Sequence, residues 1–390
     1  MLEIVEVKTK KQKKEFLEFP LRLYRGNPYF VPPLYEDEKK IFNKDYVYLD
    51  VCEAVYFLAY INGKVAGRIS GILQKTSNEL RQEKRVRFTR FDAINNRKVA
   101  AALFSAVEKW ALEKGMDTVC GPLGFSDLDR EGLLVEGFDQ LSTFEEQYNA
   151  DYYQNLIEYC GYKKEVDWIE CKIRLPEDEG RQLQTLSDYV MNRYHLHYGK
   201  AETVQDFLDR YNEQFFALLD GAYSNIYGAV PFTEGMKKML MDNFKFIIDL
   251  DHIAVILDEN DDLVCLGLCF PSIAKAVQKS YGHLTPSAVV RLIRDIRNPK
   301  VLDLGLIAVS PDYINKGVVS VIAAGLARML REDGVEYAET NLNLEDNYAI
   351  RNLWKRFDTE QHKRRRSYVK ILTDTVTGNE QNISDVKEQK

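Results

Sequence analysis

The sequence lacks the segments that would carry a chain into or across a membrane. Its first residues, Met1 to Lys14, are charged and contain no apolar core, so we expect no signal peptide. The longest run of small and apolar residues, 317–327, is shorter than the roughly 20 residues that span a bilayer. We therefore expect a cytoplasmic protein that does not bind membranes.

Histidine and cysteine are scarce, and positive charge is in the minority. The 5 His and 6 Cys show no spacing typical of a zinc site, so no metal is expected. Without a secretory signal, the cysteines are expected to be buried thiols. The dispersed histidines offer no Ser/His/Asp or Cys/His arrangement for nucleophilic catalysis. A formal net charge of -7 and a pI near 5.5 predict no nucleic acid partner.

The length and composition of the chain are sufficient for two domains. The 390 residues exceed one ordinary core, and 45% hydrophobic with 29% charged residues is the balance of a globular protein. A strand, a helix, a hairpin, a strand and a helix follow one another twice; the first hairpin is signalled by Asn62-Gly63. We therefore place one domain at 1–175, an acidic linker at 176–182, a second domain at 183–375 and a disordered tail at 376–390.

The most informative stretch runs from residue 309 to residue 320. The apolar run 301–309 predicts a buried strand, and the segment 320–331 predicts an amphipathic helix. A turn that contains Gly317 joins them. Because the first N–H groups of a helix have no partner within it, they can hold a phosphate. We therefore expect an anion site where this turn meets the helix.

The turn and the helix resemble the acyl-CoA pyrophosphate loop of the GNAT (Gcn5-related N-acetyltransferase) superfamily. In that family the strand ends Val-x-Pro, an aromatic residue follows, and then Arg/Gln-x-x-Gly-x-Gly/Ala. The residues that fit this pattern are Val309, Pro311, Tyr313, Lys316, Gly317 and Val318. Ile314 stands where the family has Arg or Gln, and Val319 stands where it has a small residue.

A second resemblance concerns the helix that closes each half. The segment 347–357 is similar to the family's closing helix, which often reads Asn-x-x-Ala-x-x-Leu-Tyr-x-Lys-x-Gly-Phe. Trp354 lies nearest to the family's Tyr, a frequent general acid, and Trp cannot supply a proton. The segment 149–162 is similar to the same helix and lies at the end of the first half.

The resemblance implies an α/β fold of two tandem GNAT-like domains, each a twisted mixed sheet flanked by helices. Each domain is expected to have its own sheet, which opens between its fourth and fifth strands. Because the strand 86–91 continues through Asp92 into its helix without a glycine, the first domain is expected to lack the CoA loop.

The resemblance also implies a co-substrate and its binding residues. Acyl-CoA, either acetyl-CoA or another, would be the acyl donor, and a small-molecule or peptide amine would be the acceptor. The implied cofactor-binding residues are Ile307, Ala308, Val309, Asn315, Lys316, Gly317, Val318, Val319 and Ser320.

Two carboxylates are candidates for the general base. Asp303 lies six positions before Val309, where the resemblance places the general-base Glu of histone acetyltransferases. Glu339 on the next strand is the other candidate, and by alternation it would share a polar face with Asn341 and Asn343. The competing interpretation of both carboxylates is a structural role on a strand.

Two further stretches have an unusual composition. The loop 121–139 is rich in glycine and acidic residues and follows a strand, so it is either a surface loop or a site for a cationic amine. The basic run 363–366 predicts a solvated hairpin, with contact to a CoA 3′-phosphate or to RNA as the alternative.

Three functions are compatible with the sequence, because a fold alone does not decide between them. The first is an acyl-CoA-dependent N-acyltransferase that acts through the second domain. The second is a non-catalytic acyl-CoA-binding or structural protein. The third is an aminoacyl transferase of the Fem type, which also pairs two GNAT-like domains; the low pI and the lack of a basic coiled-coil insertion argue against it.

Overall fold

The computed structural model describes residues 1–223, 226–247, 249–332 and 334–372, so the predicted tail at 376–390 lies outside it. The elements of the first half are strands β1 Leu2–Glu6, β2 Cys52–Ile61, β3 Lys64–Gln74, β4 Arg85–Ala93, β5 Thr118–Gly121, β6 Leu133–Glu136 and β7 Lys163–Arg174, and helices α1 Lys10–Leu23, α2 Tyr35–Lys39, α3 Lys75–Arg81, α4 Arg97–Glu113 and α5 Tyr153–Tyr159. The elements of the second half are strands β8 His197–Tyr198, β9 Ile253–Leu257, β10 Leu263–Pro271, β11 Val301–Val309, β12 Tyr337–Thr340, β13 Asn343–Leu344 and β14 Asp358–Ile371, and helices α6 Arg181–Arg193, α7 Val204–Tyr223, α8 Glu234–Ile247, α9 Ala274–Lys279, α10 Pro286–Arg297, α11 Val319–Glu332 and α12 Tyr348–Trp354.

The hairpin predicted from Asn62-Gly63 is confirmed. β2 and β3 pair antiparallel around these two residues, whose φ angles are 49° and 76°. Positive φ at both central positions is the requirement of a type I′ turn, and Asn followed by Gly meets it with little strain. The turn therefore sets the register of the two strands from the local sequence alone.

Within the described residues, the strands form one continuous sheet that spans both halves. The order is β1-β2-β3-β4-β5-β14-β7-β12-β11-β10-β9-β8. The expectation that each domain has its own sheet is therefore wrong. The physical reason is that an edge strand leaves backbone N–H and C=O groups unpaired, and pairing with strands of the other half satisfies them.

The last strand of each half lies beside strands of the other half. β14 lies between β5 and β7, and β7 lies between β14 and β12. The β7–β14 pairing is antiparallel and extends from Asp358 opposite Arg174 to Val369 opposite Lys163. The strand order on the two sides of this pair is the same, so the shared sheet joins two copies of one α/β arrangement. The domain boundaries placed at 175 and 183 stay a prediction.

Each copy of the sheet opens between its fourth and fifth strands, as predicted. β4 pairs with the parallel strand β5 only from Arg85 to Arg87, although β4 continues to Ala93. β11 pairs with β12 only from Val301 to Leu304 and continues without this neighbour to Val309. Each longer strand therefore continues past its neighbour, and the opening of an α/β sheet is where ligands usually bind; we call the opening beside β11 the cleft.

Apolar side chains cover the two faces of β11. Leu302 packs into the cluster formed with α11 and α12, whereas Leu306 and Ala308 pack against the cluster formed with α7. β11 is thereby held as a rigid wall of the cleft. Over the described ranges, none of the helices is long and apolar enough to cross a membrane.

Candidate active site

The turn that follows β11 leaves three backbone N–H groups free. The chain passes through a short 3₁₀ turn at Pro311–Lys316 to Gly317, which has a φ of 75°. The N–H and the hydroxyl of Ser320 both donate to the carbonyl of Gly317, at 2.9 and 2.7 Å. Among the described residues, the N–H groups of Gly317, Val318 and Val319 have no hydrogen-bond partner. Free N–H groups at the start of a helix are the arrangement that holds an anion.

The surroundings of these N–H groups are open and carry a positive charge. Gly317 is exposed, and the nearest neighbour of a side chain there would be Val190, at 3.6 Å. The ammonium group of Lys316 lies 4.1 Å from the centroid of the Tyr313 ring. Val319 is half-buried and packs against the apolar cluster beneath α11. The core therefore takes up part of the bulk of Val319, at the position where the family has a small residue.

The corresponding turn of the first half is closed by the protein's own side chains. The side-chain oxygen of Asn96 accepts from the N–H groups of Lys98 and Val99, at 2.9 and 3.3 Å, and so caps α4. The hydroxyl of Tyr153 accepts from the N–H of Ala93 at 3.0 Å. The two halves therefore differ in the backbone donors that they offer to an anion.

β11 carries a bulge beside the cleft. Its register against β10 shifts at Gly305, the additional residue on β11. A side chain at Gly305 would overlap the ring of Phe270, so the bulge requires a glycine. Past the bulge, the carbonyl of Ile307 accepts from the hydroxyl of Tyr223 at 3.1 Å. Tyr223 was not among the predicted residues. It lies at the end of α7, 84 positions from Ile307, and nothing in the local sequence indicates the contact.

The two predicted base candidates lie side by side. Asp303 on β11 and Glu339 on β12 are register partners in the last paired stretch of the two strands. Asp303 is buried, and its Oδ1 atom has no hydrogen-bond partner among the described residues. Burial and the charge of Glu339 raise the pKa of Asp303 well above its ordinary value. Its surroundings therefore favour the protonated form of Asp303.

Glu339 differs from Asp303 because two basic side chains hold it. Its carboxylate forms an ion pair with Lys363 and lies 3.2 Å from the Nε2 atom of His362. Burial alone would raise the pKa of Glu339, but Lys363 and His362 outweigh this effect and lower it. The carboxylate of Glu339 is therefore stabilised and already paired. Burial instead disfavours the carboxylate form of Asp303, whose Oδ1 atom has no hydrogen-bond partner among the described residues.

The basic run at 363–366 is not a solvated hairpin. It lies within β14, and the side chains of Lys363 and Arg365 are completely buried. Both form ion pairs with Glu170 on β7, at 2.7 and 2.6 Å. The exchange of β7 and β14 brings these opposite charges together. Buried in this way, Lys363 and Arg365 are not available to a CoA phosphate or to RNA, so that alternative is also wrong for them.

The predicted polar face of Glu339, Asn341 and Asn343 does not form. β12 ends at Thr340, so the alternation of side chains stops there. The amide of Asn341 donates to Glu145 at 3.5 Å. The side-chain oxygen of Asn343 instead accepts from the indole N–H of Trp354, which packs in the cluster beneath α11.

The acidic loop of the first half continues into this region. After the predicted segment 121–139, the carbonyl of Leu141 accepts from Lys363 at 3.5 Å. Burial raises the pKa of Glu145 to about 7, and the charge of Glu145 in turn contributes to the raised pKa of Asp303. The first half therefore supplies part of the electrostatic environment of the second half's candidate base.

A groove of about 500 Å³ opens on the α7 side of β11. We call it the apolar groove, since most of the side chains that line it are apolar and come from both halves. Its apolar lining includes Leu80, Leu128, Leu219, Tyr223, Phe232 and Leu306. Leu306 follows the bulge directly, so the groove begins at the wall of the cleft.

Known proteins resemble this chain over most of its length, although no protein-family model matches it. The chain is 26% identical over 370 residues to Protein YghO of Escherichia coli K12, and the aligned region covers 92% of this chain and 93% of that protein. It is 27% identical over 297 residues to a bacterial ceramide synthase of Caulobacter vibrioides, and the aligned region covers 75% of this chain and 76% of that protein.

A solved structure decides the fold. The tandem GNAT protein from the clavulanic acid biosynthesis pathway superposes on this chain with a TM-score of 0.55 at 12% identity, and covers 95% of this chain and 98% of its own. The chain has the tandem GNAT fold. The predicted fold class is thereby confirmed, and the resemblance to the GNAT superfamily holds at the level of the fold.

In this GNAT fold, Trp354 of the closing helix cannot supply a proton. It is buried on α12, and its indole N–H is used in a hydrogen bond of 2.8 Å to Asn343. The hydroxyl of Tyr223, on α7, contacts β11 by donating to the carbonyl of Ile307.

Replacing Asp303 with Asn is expected to raise the free energy of unfolding at neutral pH. Because the pKa of Asp303 is raised in the folded protein, stability falls as the pH rises from the ordinary pKa towards the raised one, by up to about 1.4 kcal/mol per pH unit. Asn removes this penalty and has nearly the same size and shape as Asp. Urea unfolding at several pH values measures the free energy of unfolding of both proteins.

The control for Asp303→Asn is Asp312→Asn, which changes an exposed carboxylate just after β11. That variant is expected to stay within about 0.5 kcal/mol of the parent. If Asp303→Asn is instead less stable than the parent at pH 7, Asp303 is ionised in the folded protein and the inference about its proton fails.

Proposed function

We propose that the second half of this GNAT-fold protein transfers an acyl group from acyl-CoA to an amine. The observation that supports this most is the set of free N–H groups at Gly317, Val318 and Val319, at the end of a strand that has left its neighbour. In this proposal, residues 315–320 hold the pyrophosphate and the pantetheine lies along residues 307–309. Acetyl-CoA and longer acyl-CoAs share these contacts.

The chemistry requires one bond to form and one to break. The amine nitrogen attacks the thioester carbonyl, the amide C–N bond forms, the C–S bond breaks, and CoA leaves as a thiolate that takes up a proton. Asp303 is the better base candidate, because Glu339 is already paired with Lys363. A cationic amine beside Asp303 lowers its pKa and favours the carboxylate that accepts the proton. We assign proton donation to Tyr223, whose hydroxyl lies against the pantetheine wall.

Isothermal titration calorimetry with acetyl-CoA and longer acyl-CoAs tests the proposal. A transferase is expected to bind an acyl-CoA saturably and to release the free CoA thiol when a suitable amine is added. Binding without thiol release for any amine would favour the non-catalytic acyl-CoA-binding function. Failure of every acyl-CoA to bind would overturn the proposal.

The apolar groove favours a long-chain substrate. Leu306 lies on the strand assigned to the pantetheine, so an alkyl chain on either reactant can extend from the reaction centre into the groove. The Caulobacter relative is named a ceramide synthase, and a ceramide is the amide of a long-chain amino alcohol with a fatty acid. We therefore propose that the acyl group, the amine or both carry a long chain.

Replacing Leu128 with Asp is expected to lower kcat/KM about tenfold for long-chain substrates and to leave acetyl-CoA binding unchanged. Leu128 lines the groove and is 43% exposed, so the new carboxylate opposes an alkyl chain without entering the core. Leu112→Asp is the matched control, because Leu112 is 40% exposed on α4 and does not line the groove. A loss that does not grow with acyl-chain length would count against a chain in the groove.

A further inference from the structure

A second cavity adjoins the apolar groove. It has a volume of about 130 Å³, far above the roughly 10–15 Å³ that one ordered water needs. Ser77 and Arg81 line both spaces, so the cavity and the groove meet at α3. We call it the arginine cavity, since its lining also includes Arg85 and Arg87. An apolar space and a basic one therefore lie end to end.

Two of the three arginines lack a counter-ion. Arg87 is only 6% exposed, and it donates a long hydrogen bond of 3.3 Å to the carbonyl of Gly124. Arg81 donates to the carbonyl of Ile226 at 2.8 Å. Among the described residues, no carboxylate lies within 4.0 Å of either guanidinium group. A buried charge without a counter-ion is costly, so an anion in the cavity would stabilise Arg87.

A buried amide adds a further unused donor. Gln74 is only 2% exposed; its Oε1 atom accepts from the N–H of Ser77 at 3.3 Å, and its Nε2 atom has no hydrogen-bond partner among the described residues. Since Gln74 lines the same cavity, its free N–H groups and the two guanidinium groups converge on one space. These donors are suited to a carboxylate or a phosphate.

The acidic groups near the cavity do not cancel this charge. Glu165 and Glu83 are paired with Arg85, at 2.6 and 3.4 Å. Burial raises the pKa of Glu131 well above its ordinary value and raises that of Asp127 as well, although the charge of Arg87 opposes both shifts. Among the described residues, neither Glu131 nor Asp127 forms an ion pair with Arg81 or Arg87, so both guanidinium groups can pair with a ligand.

We propose that the apolar groove and the arginine cavity together bind an amphiphile with an anionic head group. Its alkyl chain would occupy the groove, and its carboxylate or phosphate would accept hydrogen bonds from Arg81, Arg87 and Gln74. The proposal takes from the proposed function only the assignment of the groove to an alkyl chain. It requires neither acyl-CoA nor turnover, so it can be tested on the protein alone.

Calorimetric titration of the full-length protein with four probes, each below its micellar concentration, provides the test. The probes are dodecyl phosphate, dodecanoate, dodecanol and inorganic phosphate. Dodecyl phosphate or dodecanoate is expected to bind at least about tenfold more tightly than dodecanol, a difference of ~1.4 kcal/mol. Inorganic phosphate is expected to bind more weakly than dodecyl phosphate, because it lacks the chain. The preferred anion identifies the head group.

Variants locate the head group. Arg81→Gln and Arg87→Gln are each expected to weaken binding of the anionic probe about tenfold and to leave dodecanol binding unchanged. Arg81 is exposed, so its variant stays informative if the Arg87 variant does not fold. Arg181→Gln is the matched control on an exposed arginine at the start of α6. Gly317→Asp is expected to leave the anionic probe bound, which separates this site from the acyl-CoA site.

Three outcomes would overturn the proposal. Equal affinity for dodecanol and the anionic probes would show that the charge has no role, and would leave a long-chain substrate possible. Inorganic phosphate that binds as tightly as dodecyl phosphate would show that the chain has no role. Anionic binding that survives both arginine substitutions would place the head group elsewhere. Titration with acyl-CoA, which does not involve these residues, reports separately on the proposed function.

Discussion

Gly317→Asp is expected to lower the affinity for acyl-CoA at least about a hundredfold, which corresponds to ~2.7 kcal/mol. Gly317 has a φ of 75°, a conformation that Asp tolerates better than most residues with a side chain, so the fold should persist. The new carboxylate lies beside the free N–H groups of Val318 and Val319, where it competes with the pyrophosphate and repels it. Calorimetric titration with acetyl-CoA and a long-chain acyl-CoA measures the loss.

The control for Gly317→Asp is Asn95→Asp, which adds the same charge to the corresponding turn of the first half. Asn95 is exposed, and the next residue, Asn96, already caps α4, so acyl-CoA binding should not change. Equal losses in the two variants would show that the second half is not the acyl-CoA site. An undiminished affinity in Gly317→Asp would exclude the loop after β11 altogether.

Glu170→Gln is expected to destabilise the protein by about 3–5 kcal/mol. Glu170 is completely buried and forms ion pairs with Lys363 and Arg365, which are equally buried. The substitution removes the shared counter-ion of two buried cationic groups where β7 and β14 join the halves. Lys363 keeps its ion pair with Glu339, whereas Arg365 keeps only Glu146, at 3.9 Å. Urea unfolding followed by circular dichroism gives the free energy of unfolding, and a change below about 1 kcal/mol would contradict the prediction.

The matched control is Glu360→Gln, on the same pair of strands. Glu360 forms an ion pair with Arg174 at 2.9 Å, but its side chain is 51% exposed, so the loss should be about 0–1 kcal/mol. Both variants make the same Glu-to-Gln change, so a difference between their free energies of unfolding reports the effect of burial. If they are equally destabilised, the buried charges are compensated by groups other than Glu170.

The pH dependence of stability provides a second measurement on Glu170. Burial alone would raise its pKa, but Arg365 and Lys363 outweigh this and lower it to about 2, from an ordinary value of 4.5. Its contribution is therefore fully present above the ordinary pKa and is lost as the pH falls from about 4.5 to about 2. The Gln variant should lack this part of the acid unfolding curve.

The strand, turn and helix around Gly317 could be predicted from the sequence, because each of their signals is local. The apolar run 301–309, the turn residue Gly317 and the apolar periodicity of the next helix all act over a few positions, and the structure has β11, a left-handed Gly317 and α11 there. The assignment of CoA to that loop stays a prediction. Its strongest support, the free N–H groups at 317–319, became visible only in the structure.

The basic run at 363–366 shows why other predictions failed. Charged residues are almost never completely buried unless they are paired, so a run of four predicts a solvent-exposed hairpin. Lys363 and Arg365 are buried because Glu170, about 195 residues earlier, lies opposite them. A pattern of neighbouring residues contains no information about such a distant partner. The predicted polar face at Glu339 failed for a related reason, since β12 ends before Asn341.

The sequence by itself determined the elements whose cause is local: the hairpin turn at Asn62-Gly63, the strand–turn–helix around Gly317 and the repeated order of elements. Backbone preferences and side-chain periodicity act within a few residues, so they can be inferred from the chain alone. Only the tertiary structure decided that β7 and β14 exchange, that burial raises the pKa of Asp303 beside a paired Glu339, and that an apolar groove meets an arginine cavity. These features depend on which strand edges and which charges meet in space, and that is settled when distant segments satisfy one another's backbone groups and charges on folding.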